Sequence, residues 1–182
     1  MSSHDKDHVD RVVALAIYIA KKEGGNLEII KTAAKLHDIA RDYNNHARKG
    51  AKIAEKILKD EGYPEDFIKE VVHCIEAHSF SSGIKPKTLE AKILSDADKL
   101  DAMGAIGIAR AFMYSGEKGR SIEETLRHFE KKLLKLKDCI ETRTGLELAE
   151  NRHKFLLEFY KELRNELNFI KKIKNDYFNE LL

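Results

Sequence analysis

Two histidines and two aspartates stand at positions from which a helical fold could assemble a metal site. His8 begins the first stretch with helical apolar spacing, the dipeptide His37-Asp38 follows the second, and Asp98 lies within a segment that is otherwise mostly apolar. A bundle that packs these segments side by side would bring two imidazoles and two carboxylates to one point. We therefore predict that His8, His37, Asp38 and Asp98 bind a metal ion.

The donor set limits the ions that suit such a site. Two nitrogens and two carboxylate oxygens suit a divalent ion such as Mn, Mg, Co, Ni or Fe, and zinc stays open. An octahedral ion with four protein ligands keeps two positions, one for a water nucleophile and one for a phosphate oxygen. Arg11, Arg41 and Lys99 lie close to the ligands in sequence and are predicted to bind phosphoryl oxygens, with a structural carboxylate as the alternative partner of Arg11. This chemistry is metal-assisted hydrolysis.

Three further side chains have more than one predicted role. His46 and His78 stand at the ends of predicted helices, and they could supply a second metal position in which Asp38 bridges the two ions. Otherwise they act on the substrate or are ordinary helix-end residues. Asp101 comes one helical turn after Asp98, so it could either support a ligand or face the substrate.

Two neighbours of the predicted ligands are assigned other roles. Asp96 could cap a helix, pair with a lysine or support a ligand through a hydrogen bond. His4 precedes His8 by one helical turn, and we predict a supporting role or a frayed terminus for it. Neither residue is predicted to be a ligand.

The ligands follow the order H…HD…D, and in this the chain resembles the HD-domain superfamily of metal-dependent phosphohydrolases. The resemblance includes the segments AKLHDIARD, TLEAKILSDADKLDAMGAIGIARAF and KKLLKLKDCIETRTGLELAENRHKFLLEF, and it covers residues 4–165. It favours Asp98 as the ligand, because this is the aspartate of the family's A-D-K-L segment. These segments look like a subgroup that includes bacterial nucleoside triphosphate pyrophosphohydrolases, which implies nucleotide hydrolysis here.

Glycine, proline and capping residues along the chain predict an all-α fold. Gly24 and Gly25 would end the first helix, Asn26 would cap the second, and Pro64 suits the first turn of the fourth. No segment shows convincing strand alternation. We predict helices over 8–24, 26–38, 47–61, 64–78, 89–112, 122–140 and from 145 towards 182. The predicted fold is thus an HD-domain helical bundle with a long C-terminal helix, a single domain 1–182 with its metal-binding core at about 4–115 and C-terminal helices at about 121–182.

The C-terminal stretch carries an apolar stripe at helical spacing, which includes Leu156, Phe159, Leu163 and Leu167. A lone helix in water could not sustain such a face. The stripe is predicted to pack either on the domain itself or on a second subunit, and the latter would make a homodimer.

Composition disfavours several classes of function. The 182 residues contain 33 Lys plus Arg against 31 Asp plus Glu, a net charge of +2, which disfavours nucleic-acid binding through bulk positive charge. The absence of a long apolar run or a hydrophobic leader predicts a cytoplasmic protein without membrane contact. Cys74 and Cys139 form no CxxC arrangement, which disfavours a thiolate zinc site.

The sequence therefore predicts a metal-dependent phosphohydrolase that acts on a nucleotide or another small phosphate ester or anhydride. Two alternatives stay open. The same ligand set, completed by the two helix-end histidines, holds two irons in oxygenases of this superfamily. If the chain keeps the metal ligands and binds a nucleotide without hydrolysing it, the protein is instead a noncatalytic nucleotide-binding module.

Overall fold

The computed structural model describes residues 6–178, and within them it contains helices and no β-strand. The predicted all-α fold with a long C-terminal helix is confirmed. Two short 3-10 turns, Leu133–Lys135 and Lys137–Cys139, follow the seventh helix. The helices are α1 (Lys6–Glu23), α2 (Leu27–Leu36), α3 (His46–Asp60), α4 (Glu65–Ala77), α5 (Leu89–Asp101), α6 (Gly104–Glu117), α7 (Ile122–Lys131) and α8 (Arg143–Phe178).

The starts of α2 and α5 follow capping residues of the sequence. The side chain of Asn26 accepts hydrogen bonds from the backbone N–H groups of Glu28 and Ile29 at the start of α2. Thr88 caps α5 through the N–H of Ala91. Side-chain oxygens thus satisfy backbone donors that the first turn of a helix leaves without a partner.

Helix α5 lies at the centre of the bundle and contacts α1, α2, α4, α6 and α8. Its apolar residues Ile93, Leu94 and Leu100 are fully buried, and so are the side chains of Asp96 and Asp101. Burial of a carboxylate is costly unless hydrogen bonds or charges compensate it. The aspartates of α5 are therefore held inside the fold by specific partners.

One predicted helix is two helices in the structure. The sequence predicts a single helix over residues 89–112, but the chain breaks at Met103, whose backbone is extended, and Gly104, whose φ is +67°. A Cβ at Gly104 would also lie 3.2 Å from the Cβ of Arg152. Apolar spacing hides this break, because Met103 is itself buried. Because of this break, α6 does not continue along the axis of α5.

Two other predicted boundaries were wrong. The helix predicted over 122–140 ends at Lys131, and the two 3-10 turns bury Leu133 and Leu136 beyond it. Gly145 does not precede the last helix but lies in its first turn. There a Cβ would come within 2.7 Å of Asp96 Oδ2 and of Thr142 Oγ1, so close packing requires the glycine.

The apolar stripe of α8 is covered over only part of its length. Ala149 and Leu156 are fully buried against the domain, whereas Ile170 is 48% exposed and Leu163 and Leu167 are partly exposed. The prediction that the domain covers the stripe therefore applies to its first half. A second subunit on the remainder stays a prediction. Among residues 6–178, no helix combines the length and apolar character that a bilayer crossing needs.

Candidate metal centre

The C-terminal ends of α2 and α4, the first turn of α1 and the C-terminal half of α5 meet at one cluster of histidines and aspartates. His8 comes from α1 and Asp98 from α5, while His37-Asp38 follows α2 and His78 follows α4. Candidate ligand atoms of His8, His37 and Asp98 all lie within 4.8 Å of one another, and so do those of His37, Asp38 and His78. The structure thus brings the four predicted ligands together, although their binding of an ion stays a prediction.

The shortest distances converge on the imidazole of His8. Its Nε2 atom lies 3.3 Å from His37 Nε2, 3.4 Å from Asp38 Oδ2 and 3.6 Å from Asp98 Oδ1. Two nitrogens and two carboxylate oxygens therefore surround one small volume, which is the donor set that the sequence predicts.

The other ring nitrogen of each buried histidine is held by an oxygen. His8 Nδ1 lies 2.8 Å from Asp101 Oδ2, His37 Nδ1 lies 2.7 Å from the carbonyl of Ala34, and His78 Nδ1 lies 2.6 Å from the carbonyl of Ile75. A carbonyl can only accept, so Nδ1 carries the proton in His37 and His78, and the carboxylate favours the same tautomer in His8. With Nδ1 protonated and Nε2 deprotonated, each ring directs the lone pair of Nε2 into the cluster. Facing lone pairs 3.3 Å apart repel unless a cation lies between them, so these residues fit a divalent metal ion.

The charges of the cluster suit cation binding. Burial disfavours ionisation of Asp38, but the hydrogen bond with His8 and the proximity of His37 outweigh it and hold the pKa of this carboxyl well below its usual value. Burial likewise opposes ionisation of Asp98, and the neighbouring His78 and His37 outweigh it, so that this pKa is also low. Both aspartates are anionic at neutral pH, as metal binding requires.

The histidines of the cluster differ in their proton affinity. Burial and the nearby His37 lower the pKa of His78 to about 4, so this imidazole is neutral at neutral pH. In His8, burial acts in the same direction, but the hydrogen bonds with Asp101 and Asp38 outweigh it and raise the pKa. A metal ion at Nε2 of His8 has to compete with a proton, so its binding weakens as the pH falls.

Asp101 is a buried anchor of His8. Besides the imidazole, it accepts hydrogen bonds from Arg11 Nε at 2.6 Å and from Arg110 Nη1 at 2.6 Å. Of the two roles that the sequence left open, this geometry favours support of a ligand, and it gives Arg11 the structural carboxylate as its partner. The alternative prediction, that Asp101 and Arg11 bind substrate, is not favoured by these contacts.

His46, the first residue of α3, lies at the edge of the cluster. Its ring centroid is 5.5 Å from that of His78, and its Nε2 atom lies 3.3 Å from Arg41 Nη1. Arg41 Nη1 also lies 3.6 Å from Asp38 Oδ1. The structure thus places His46, His78 and Arg41 beside the predicted ligands, while a second metal position stays a prediction.

Lys99 and Asp96 point to other partners. The Lys99 side chain is buried, and its ammonium donates to the carbonyl and the hydroxyl of Ser95, so it is a weaker candidate for phosphate binding than Arg41. Asp96 accepts from the backbone N–H groups of Glu141 and Thr142 and from the Thr142 hydroxyl, which ties α5 to the start of α8. His4 lies outside the described residues.

Two open cavities adjoin the cluster and share Arg41 and Tyr114. The larger, of about 740 Å³, reaches Asp38 and His46. The smaller, of about 330 Å³, is strongly basic, and its charged or imidazole residues are Arg41, Arg110, Arg120, His128 and Lys132. The sequence alone predicts no chemistry for Arg120, His128 or Lys132. The one sequence feature that points to this surface is the KKLLKL segment, which contains Lys132 and belongs to the resemblance.

An all-helical domain that gathers two histidines and two aspartates around one point has the architecture of a metal-dependent phosphohydrolase. The chain belongs to the HD-domain family, whose family model matches residues 6–103 and thereby includes all four predicted ligands. The hydrolases of this superfamily are metal-dependent phosphohydrolases.

Similar proteins cover nearly the whole chain. The protein YpgQ of Bacillus subtilis is 40% identical over 175 residues, which are 91% of this chain and 85% of that protein. A crystal structure of YpgQ in complex with ADP is similar with a TM-score of 0.76 at 38% identity, covering 91% of this chain and 90% of that one. A structure of an HD-superfamily hydrolase from Bacillus thuringiensis is similar with a TM-score of 0.71 at 38% identity, covering 91% and 87% of the two chains.

Proposed function

We propose that this chain hydrolyses a phosphate ester or anhydride bond of a nucleotide, with a divalent metal ion held by His8, His37, Asp38 and Asp98. The observation that carries the proposal is the convergence of Nε2 lone pairs from histidines whose Nδ1 atoms are engaged by oxygens. When bound, the ion supplies Lewis acidity, which activates water and offsets the charge on phosphoryl oxygens.

In the proposed reaction, the oxygen of water forms a bond to phosphorus while the bond from phosphorus to the leaving group breaks. The leaving oxygen keeps the electron pair of that bond, and the proton that the attacking water loses passes to the leaving oxygen or to solvent. Arg41 borders both cavities and lies beside Asp38, so its guanidinium can donate to nonbridging oxygens of the reacting phosphate. Asp101 holds the His8 ring in the orientation that aims Nε2 at the cluster.

Two facts support a nucleotide as the substrate. YpgQ, which matches nine tenths of the chain, has been solved in complex with ADP. The resemblance to a subgroup with nucleoside triphosphate pyrophosphohydrolases adds a specific reaction, in which a nucleoside triphosphate yields a monophosphate and pyrophosphate. We propose this reaction as the finer form of the function, with Mn, Mg, Co, Ni or Fe as the metal and zinc open.

Chelator-treated protein, reloaded with each metal in turn, tests the proposal. Nucleoside mono-, di- and triphosphates and other phosphorylated metabolites are screened for release of orthophosphate and pyrophosphate. We expect Asp38→Ala to lose metal and turnover yet remain folded, because removal of a carboxylate ligand lowers the charge offered to the cation. Asp10→Ala, an exposed carboxylate of α1, should keep both properties. Wild-type metal content and rate in Asp38→Ala would refute the assignment.

A second candidate function has its own observation. His78 joins His37 and Asp38 in a second group of potential ligands, and His46 lies next to it. This larger set is compatible with a di-iron oxygenase. Two tightly bound irons per chain together with oxygen uptake would favour that reaction, whereas tight nucleotide binding without any turnover would favour a noncatalytic nucleotide-binding module.

A further inference from the structure

The smaller cavity beside the metal cluster, defined above by Arg41, Arg110, Arg120, His128 and Lys132, is built for an anion. None of its lining residues is a carboxylate. Several partly desolvated positive charges close to one another are unfavourable unless an anion joins them. A fold that nevertheless converges them next to a phosphohydrolase centre provides a site for a further anionic group.

The cationic side chains that line this cavity differ in the contacts that they make with other residues. Arg110 donates to Asp101, Arg120 lies 5.2 Å from the centroid of the Tyr114 ring, and Arg41 lies beside Asp38. For Lys132, by contrast, no hydrogen bond or ion pair within 4 Å links its ammonium to any other residue of 6–178. Its ammonium is thus available to a ligand.

The charges that surround Lys132 come from several elements. Asp98 of α5 and Asp38 after α2 attract it, whereas Arg41 and Arg110 repel it. The Lys132 ammonium therefore interacts electrostatically with two of the predicted metal ligands, Asp98 and Asp38, while it lines the cavity beside them. A phosphate chain that starts at the metal and enters this cavity would pass from the aspartates to the ammonium.

The end of α7 explains how Lys132 comes to face the cavity. The helix ends at Lys131, and Lys132 has a nonhelical backbone with φ −132° and ψ −64°. Of three consecutive residues, Lys131 is exposed, Lys132 lines the cavity and Leu133 is buried. His128, one turn earlier, lines the same cavity, and burial together with Lys132 lowers its pKa, which leaves a neutral ring that can donate a hydrogen bond.

We propose that Lys132, assisted by His128 and Arg120, binds the phosphate group next to the one that reacts. The inference rests on the proposed function, because it takes the reacting phosphate to lie at the metal cluster. Lys132 would then determine specificity for substrates in which two or more phosphates are linked, whereas a monophosphate would not reach it.

Binding of inorganic pyrophosphate tests the subsite without any turnover. Calorimetric titrations of pyrophosphate and of orthophosphate are performed on the Mn-loaded protein, with metal content measured for every variant. Lys132→Met keeps the aliphatic stem and removes the charge, and we expect about tenfold weaker pyrophosphate binding with an orthophosphate affinity that changes less than about threefold. Lys131→Met removes the charge of the exposed neighbour and should bind both anions as the wild type does. Lys132→Arg should retain most of the pyrophosphate affinity.

Unchanged pyrophosphate affinity in Lys132→Met, or an equal loss in Lys131→Met, would overturn the proposal. Hydrolysis assays separate its failure from that of the proposed function. If nucleotides are hydrolysed and Lys132→Met keeps the wild-type ratio of kcat/KM for triphosphate over monophosphate, the subsite is wrong and the function stands. If pyrophosphate binding depends on Lys132 but no phosphate compound is hydrolysed with any metal, the subsite stands and the hydrolytic function fails.

Discussion

For each buried histidine of the cluster, the hydrogen bond at Nδ1 determines whether Nε2 is available to bind a metal ion. The carbonyls of Ala34 and Ile75, in the last turns of α2 and α4, fix His37 and His78, which come three residues later in the chain. His8 depends instead on Asp101, which is 93 residues away in sequence. The orientation of His8 is therefore a tertiary property, and Asp101 is a positioning residue for the metal site.

Replacement of Asp101 should weaken metal binding without removing a ligand. Asp101→Asn keeps the shape but replaces one carboxylate oxygen by an amide, so His8 and two arginines lose their charged partner. We expect about 10–100-fold lower metal affinity, the usual effect of losing such a partner. Competitive titration with a chromogenic chelator measures it. Asp96→Asn is the matched control, since Asp96 is a buried aspartate of the same helix that bonds to Glu141 and Thr142, and it should lower stability while it keeps the metal affinity.

His46 and His78 are predicted to complete a second metal position with Asp38 as the shared carboxylate. Such a site has fewer charges than the first, so it should fill only at higher metal concentration or with phosphate present. Titration of metal into the chelator-treated protein should show a second, weaker equivalent that is absent in His46→Ala and His78→Ala. One metal per chain at saturation, with full activity in both variants, would leave these histidines as helix-end residues.

At the scale of the helix, starts were easier to predict from the sequence than ends. Asn26 and Thr88 act locally, through their own side chains, and the predicted helix starts at 26 and 89 lie within one residue of those of α2 and α5. The ends of α5 and α7 depend on tertiary packing, because Met103 and Leu133 keep burying apolar surface after the helix has stopped. For this reason the sequence did not predict that Lys132 lines the smaller cavity, since a continuous helix over 122–140 gives no sign of this orientation. The convergence of His8, His37, Asp38 and Asp98 could be predicted because their types and order carry information that needs no exact boundary.

Gly145 offers a test of the contact between α5 and α8. Gly145→Ala would place a methyl group 2.7 Å from Asp96 Oδ2 and Thr142 Oγ1, so the hydrogen bonds of that junction must shift. We expect a loss of about 1–3 kcal/mol in the free energy of unfolding, as overpacking generally costs. Gly116→Ala in α6 has no atom within 4 Å of its new methyl group and should be neutral or stabilising by up to about 1 kcal/mol. Urea denaturation measures both, and equal stability of the two variants would contradict the close approach.

In the whole molecule, the two halves of α8 have different packing partners. Its first half covers the bundle, where Arg152 Nη1 donates to the carbonyl of Leu100 at 2.5 Å and thereby contacts the end of α5. Its second half runs beside α7, linked to it by surface ion pairs such as Lys171 with Glu123 at 2.6 Å. Surface pairs of this kind contribute little to stability. Deletion of the first half of α8 should therefore destabilise the protein much more than deletion of the second half.

Two truncations separate these roles. Deletion of residues 146–182 removes Ala149 and Leu156, which are fully buried, and uncovers the apolar surface beneath them, so we expect insoluble protein. Deletion of residues 166–182 removes residues of which those described are mostly exposed, so this variant should stay soluble, keep its metal affinity and lose no more than about 1 kcal/mol of stability. Solubility, chelator titration and sedimentation velocity of both variants check these outcomes. If the wild type is a dimer that the shorter deletion converts to a monomer, the distal half of the apolar stripe is the interface. A soluble, monomeric and metal-binding chain that ends at Gly145 would contradict the covering role of α8.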